Sequence, residues 1–128
     1  VGAPEDLWAG VARGIDLFDC VLPTRIARNA TLFTPRGRID IKSRRFQHLH
    51  EPVDLTCDCA TCRTFTAAYL HHLFRAGEIL GLRLATIHNL RFFARQMEIM
   101  REAIEQGTFA AAHRAFHDRY AKASTSTA

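Results

Sequence analysis

Three of the chain's four cysteines fall within six residues, Cys57-Asp58-Cys59-Ala60-Thr61-Cys62, and this crowding constrains the fold more than any other feature. Cys57 and Cys59 are too close in sequence to form a disulfide without strain, and the run lacks the surroundings of a redox pair. Read as buried cysteines, they would be small apolar residues, but three of them beside Asp58 fit a metal better. Thiolates converging on one point predict zinc, with histidine as the natural fourth ligand. Local spacing leaves His48, His50, His71, His72 and His88 all open for that role. Four protein ligands would close the coordination sphere, making the zinc a structural brace rather than an activator of water.

The chain has 128 residues, of which 48% are hydrophobic, enough for one modest core. Its apolar runs are too short to cross a bilayer and nothing resembles a signal peptide, so a soluble, cytoplasmic protein is expected. Val1 stands where an initiator methionine is absent, as in a piece of a longer protein. The formal charge is +4, and residues 13–45 hold eight basic side chains against Asp16, Asp19 and Asp40, which marks that block for phosphate contacts.

Pro4, Glu5 and Asp6 suit a helix N-terminus and Gly14 its end. Residues 15–22 read as a strand buried on both faces and ended by Pro23. Residues 31–34 and 38–42 flank Pro35-Arg36-Gly37 as a small hairpin, and residues 52–62 read as irregular. Phe65, Tyr69, Leu73 and Ala76 recur with helical spacing up to Gly77 or Gly81. Thr86 is a candidate cap for a helix whose stripe is Leu90, Phe93, Met97, Met100 and Ile104, stopped by Gly107. Thr108 is a candidate cap for a last helix through Phe109, Ala112, Phe116 and Tyr120, with a disordered tail over residues 122–128.

Asp19 interrupts the apolar run Phe18-Asp19-Cys20-Val21-Leu22, and Asp16 raises the same question more weakly. A carboxylate in a buried strand must be paired or used, so Asp19 is a candidate nucleophile, base or metal ligand, against the plainer reading of a hydrogen-bonded structural aspartate. Arg25 and Arg28 follow closely, able to grip phosphate or simply to neutralise that acid.

The run Gly14-Ile15-Asp16-Leu17-Phe18-Asp19-Cys20-Val21-Leu22-Pro23-Thr24-Arg25, the cysteine cluster, Ala68-Tyr69-Leu70-His71-His72-Leu73, Glu78-Ile79-Leu80 and Thr86-Ile87-His88-Asn89-Leu90 occur in an order that resembles the tRNA-guanine transglycosylases, or queuine tRNA-ribosyltransferases. The resemblance implies an α/β fold: residues 1–30 as the end of a TIM barrel, residues 31–121 as a zinc-binding subdomain with C-terminal helices. It implies exchange of the anticodon wobble guanine of tRNA for a queuosine precursor, 7-aminomethyl-7-deazaguanine, with Asp19 attacking the ribose to form a covalent ribosyl-aspartate. Zinc would be held by Cys57, Cys59, Cys62 and His88. RNA would be contacted by Val1, Gly2, Ala3, Pro4, Glu5 and Asp6, and by Thr24, Arg25, Ile26, Ala27 and Arg28. A homodimer is also implied.

The chain departs from the family at Ala30, where glycine is usual, at Ala67, where arginine is usual, and across His50-Glu51-Pro52-Val53-Asp54, where a Gly-Pro-Leu-Asp-like run is usual. The family's N-terminal barrel, with its acid/base aspartate and base pocket, has no counterpart here, so these residues alone are expected to be inactive. The competing reading is a non-catalytic zinc-containing RNA-binding or dimerisation module.

Overall fold

The structure, a computed structural model, describes the backbone of residues 2–126 and the side chains of residues 2–120. Six helices surround one hairpin: α1 (Pro4–Ala12), α2 (Leu22–Ala27), β1 (Thr31–Thr34), β2 (Gly37–Asp40), a 3-10 turn (Arg44–Phe46), α3 (Ala60–Thr64), α4 (Ala67–Arg75), α5 (Ile79–Glu105) and α6 (Phe109–Ser126). None of the described helices is long and apolar enough to cross a membrane.

α1 starts with proline in its first turn, and Asp6 accepts a hydrogen bond from the Ala3 amide at 3.3 Å. It ends as expected near Gly14, whose φ of 95° is left-handed. The next stretch differs from expectation. Residues 15–21 are not a strand: Ile15 is 48% exposed, Leu17 89% and Val21 57%. An apolar strand is buried by the strands beside it, and among the described residues the only ladder is the hairpin. Left without a neighbour, the segment stays irregular, and Leu22 onward turns into α2.

β1 and β2 pair antiparallel in the register Thr31↔Asp40 to Thr34↔Gly37, with Pro35 and Arg36 at the tip. Ala30, just before β1, has φ 65°, the left-handed conformation that glycine adopts freely. Its methyl is fully buried, so packing offsets part of the strain that the departure from glycine introduces.

Residues 60–62, expected to be irregular, belong to α3, because Cys59 caps that helix and accepts the Cys62 amide on its sulfur. Thr66 caps α4 by accepting the Tyr69 amide at 3.1 Å, which leaves Phe65 outside the helix; Gly77, at φ 72°, follows its end. Gly81 stops nothing. It lies inside α5, where an added Cβ would come within 3.2 Å of the Leu73 Cβ and 3.3 Å of the Phe74 ring, so its missing side chain lets α4 and α5 cross closely. Thr86 is not a cap either, since α5 begins at Ile79 and the Thr86 hydroxyl donates to the Leu82 carbonyl at 2.8 Å. Thr108, by contrast, does stand at the start of α6, its carbonyl accepting the Ala112 amide at 3.0 Å, while its hydroxyl turns back to the Ala103 carbonyl at 3.4 Å. α6 continues to Ser126, so the backbone of residues 122–126 is helical where a tail was expected; Val1, Thr127 and Ala128 lie outside the described residues.

The buried stripe of α5 is His88, Asn89, Phe92, Gln96, Met100 and Ala103, while Leu90 and Ile104, expected inside, face solvent. The phase is set by polar residues with fixed partners, Gln96 among them, whose carbonyl accepts the Trp8 indole N–H at 3.0 Å. Two apolar clusters flank this helix. One joins Ala27, Ala30, Leu32 and Ile41 to Leu70, Leu73 and Leu84; the other joins Leu7, Trp8 and Phe33 to Phe92, Met100 and Phe116.

Candidate metal centre

Cys57 leaves the loop after Asp54, Cys59 sits at the N-cap of α3, Cys62 lies in its first turn, and His88 stands a third of the way along α5. One ligand atom from each lies within 4.8 Å of the others. His88 is completely buried, with Nδ1 at 3.3 Å from the Cys62 sulfur and 3.7 Å from the Cys59 sulfur. A tetrahedral zinc, bonded to sulfur at about 2.3 Å and to nitrogen at about 2.0–2.1 Å, holds its ligand atoms roughly 3.5–3.8 Å apart, so the four residues fit such an ion.

The surroundings fix the ligands one by one. His88 Nε2 donates to the Phe33 carbonyl at 2.6 Å, which turns Nδ1 toward the sulfurs as the atom available to a metal. The Cys59 amide donates to the Cys57 sulfur at 3.4 Å, and the Cys62 amide to the Cys59 sulfur at 3.3 Å, both favouring thiolates. Ahead of Cys57, the buried Asp54 carboxylate accepts the Thr56 amide at 2.9 Å and the Thr56 hydroxyl at 2.6 Å, a local turn that aims the loop. Asp58, between two ligands, receives Arg91 Nε at 2.7 Å and Nη2 at 3.1 Å, and Arg91 also reaches Glu98 at 2.8 Å.

Without a cation, a proton on His88 Nδ1 faces the sulfurs, and a metal ion would take that proton's place. Burial alone would lower the His88 pKa, but hydrogen bonds to the Cys57 and Cys59 sulfurs and to the Phe33 carbonyl outweigh it, and the pKa is pushed up to about 10. Hydrogen bonds from Cys57 and Cys62 hold the Cys59 thiol far below the usual range, whereas Cys57, Cys59 and burial push Cys62 far above it. Protons therefore divide the sulfurs unequally, as like charges this close require; a divalent cation would let all three ionise together.

His71, an open candidate in the sequence, is committed elsewhere: its Nδ1 meets the Ile41 carbonyl at 2.8 Å. His48, His50 and His72 are exposed and outside the cluster. Replacing Asp54 with alanine is expected to lower metal affinity by roughly ten- to a hundredfold through loss of the turn that aims Cys57, measurable by competition with a chromophoric chelator.

Asp19 is exposed in the irregular segment, so the argument from a buried carboxylate does not apply to it. Its neighbour Cys20 packs on Gly2, with its sulfur 3.7 Å from the Gly2 carbonyl, and a Cβ at Gly2 would collide with that sulfur. The contact joins the start of α1 to the segment carrying Asp19, a proximity that no spacing pattern signalled. On α2, Pro23 and Ala27 face inward while Arg25 and Arg28 are exposed, three residues apart on one side.

The family model described as Queuine tRNA-ribosyltransferase matches residues 1–122. A queuine tRNA-ribosyltransferase of Herpetosiphon aurantiacus is 60% identical over 109 residues, which is 85% of this chain and 28% of that relative. That of Symbiobacterium thermophilum is 52% identical over 120 residues, 94% of this chain and 30% of the relative. That of Neisseria gonorrhoeae is 55% identical over 122 residues, 95% of this chain and 33% of the relative. The chain thus spans about a third of the length of these relatives, corresponding to their C-terminal part. With a Cys3His cluster on one side of α5 and a match running through nearly its whole length, the chain belongs to the queuine tRNA-ribosyltransferase family.

Proposed function

We propose that this chain is the zinc-braced, nucleophile-bearing portion of a tRNA-guanine transglycosylase, and that the observation carrying this reading is the family match over residues 1–122. In the whole protein, residues 1–30 would complete a TIM barrel, with residues 15–21 entering its sheet as a strand between neighbours that these residues do not include. That reading accounts for an apolar segment exposed in the chain taken by itself. Residues 31–121 would be the zinc-binding subdomain and C-terminal helices, and the whole protein a cytoplasmic homodimer.

Asp19 would attack the ribose anomeric carbon of the wobble guanosine. The glycosidic bond breaks, guanine leaves, and a covalent ribosyl-aspartate forms; the incoming 7-aminomethyl-7-deazaguanine then takes the same carbon and frees the carboxylate. The acid and base that manage the two leaving steps would come from the barrel portion. Arg25 and Arg28, with Thr24, Ile26 and Ala27, would hold the splayed anticodon backbone, aided by residues 1–6. Zinc at Cys57, Cys59, Cys62 and His88 would supply fourfold coordination that fixes the loop against α5, and no chemistry at the ribose.

Joined to the N-terminal portion of the Herpetosiphon aurantiacus relative, the chain is expected to incorporate radiolabelled guanine into tRNA bearing a wobble guanine, and the 128 residues alone are not. Incorporation by neither, from folded, zinc-loaded protein, would favour the non-catalytic RNA-binding or dimerisation module.

A further inference from the structure

We propose that Asn89 is a positioning residue that makes metal binding at the Cys3His cluster set the position of residues 23–30, the segment containing Arg25 and Arg28. Its meaning for RNA rests on the reading above, in which residues 24–28 contact the anticodon.

The inference comes from two consecutive residues of α5 that share one partner. His88 Nε2 donates to the Phe33 carbonyl at 2.6 Å, and Asn89 Oδ1 accepts the Phe33 amide at 3.0 Å. Both backbone groups of Phe33 are therefore held by a metal-cluster residue and its neighbour. The Asn89 amide nitrogen spends its two hydrogens on the Pro23 and Thr31 carbonyls, each at 3.0 Å. Asn89 is fully buried, so its own amide has no water as an alternative to these partners.

One end of this network is the sulfur cluster; the other is α2, only six residues long and too short to hold itself. α2 has its own tie from the Thr24 hydroxyl to the Val21 carbonyl at 3.0 Å, but that bond is local and exposed. α2 is tied to the rigid axis of α5 by the Asn89 side chain, together with Ala27 in one apolar cluster and Leu22 and Ile26 packed against the other. With His88 Nδ1 engaged by a bound metal, the imidazole, its Nε2 bond to the Phe33 carbonyl, Asn89 and the Pro23 carbonyl would be held as one unit.

Hydrogen exchange read by mass spectrometry tests this on the 128-residue chain. Removing zinc with EDTA is expected to speed exchange of amides 24–30 by at least about tenfold, with a smaller change in α1 and α6. Asn89→Asp keeps the acceptor for Phe33 but loses both donors; it is expected to retain zinc while amides 24–30 already exchange fast, so that EDTA adds little there. Unchanged exchange over 24–30 on chelation, or a rise shared equally by α1 and α6, would overturn the coupling. The chelation arm needs no substitution, so it decides even if the variant fails to fold. Fluorescence anisotropy with an RNA hairpin bearing a wobble guanine separates the two ideas. Roughly tenfold weaker binding by zinc-loaded Asn89→Asp is expected, whereas no binding by the unsubstituted chain would remove the RNA role and leave the coupling to the exchange data.

Discussion

Cys59→Ser is expected to lose the metal and to unfold the region from the cysteine loop through α4, while His71→Ala keeps the metal. The two residues occupy different kinds of site. Cys59 does three things at once: its sulfur lies in the four-residue cluster, accepts the Cys62 amide as the N-cap of α3, and faces His88 Nδ1. A serine oxygen would preserve a cap but would be a poor zinc ligand beside two thiolates. The free energy at stake is large, since structural zinc contributes roughly 10–16 kcal/mol to the folding of zinc-finger peptides, and the loss here should be several kcal/mol even with the apolar clusters intact. His71 holds the Ile41 carbonyl, so its truncation should cost only about 1–3 kcal/mol for that orphaned group. Metal content by mass spectrometry and thermal melting monitored by circular dichroism read both outcomes. Full occupancy in Cys59→Ser, or loss of metal in His71→Ala, would refute the ligand assignment.

The same contrast explains what was legible in the sequence. Three thiols in six residues announce a metal because their chemistry is local. The fourth ligand lies 26 residues beyond Cys62, and what selects it is the crossing of α3 and α5, a tertiary fact that the residues around Thr86 conveyed only through resemblance to a family. The phase of α5 is hidden from the sequence for a related reason. Counting apolar residues puts Leu90 and Ile104 inside, but the stripe is set by His88, Asn89 and Gln96, whose buried polar atoms all have partners on other elements. Periodicity cannot weigh a hydrogen bond it does not see. Residues 15–22 erred in the other direction: their composition matches a buried strand, but burial is conferred by neighbours, and the described residues supply none. Gly81 misled because a glycine at a close helix crossing has the same letter as a glycine at a helix end.

Asp19→Asn should abolish formation of a covalent RNA adduct, in this chain joined to the N-terminal portion of a relative, while leaving RNA binding intact. Asparagine matches aspartate in shape but lacks the anionic oxygen that would form the bond to the ribose carbon, and loss of a nucleophile typically lowers turnover by roughly ten-thousandfold or more. Binding should survive because the substitution leaves untouched Arg25 and Arg28, which are exposed and, among the described residues, make no salt bridge to an acid within 4.0 Å. Asp16→Asn is the necessary control. It is equally exposed and three residues away, so a general electrostatic role for the segment would make the two variants behave alike, whereas a nucleophile makes them differ. The measurements are a denaturing gel for the adduct, radiolabelled guanine exchange for turnover, and anisotropy for binding. A stable adduct from Asp19→Asn would reject Asp19 as nucleophile. An adduct lost equally from Asp16→Asn would shift the role from one attacking oxygen to the acidity of the whole segment. The expected pattern, binding kept in both variants and chemistry lost in one, would assign RNA contact and bond formation to different residues of this chain.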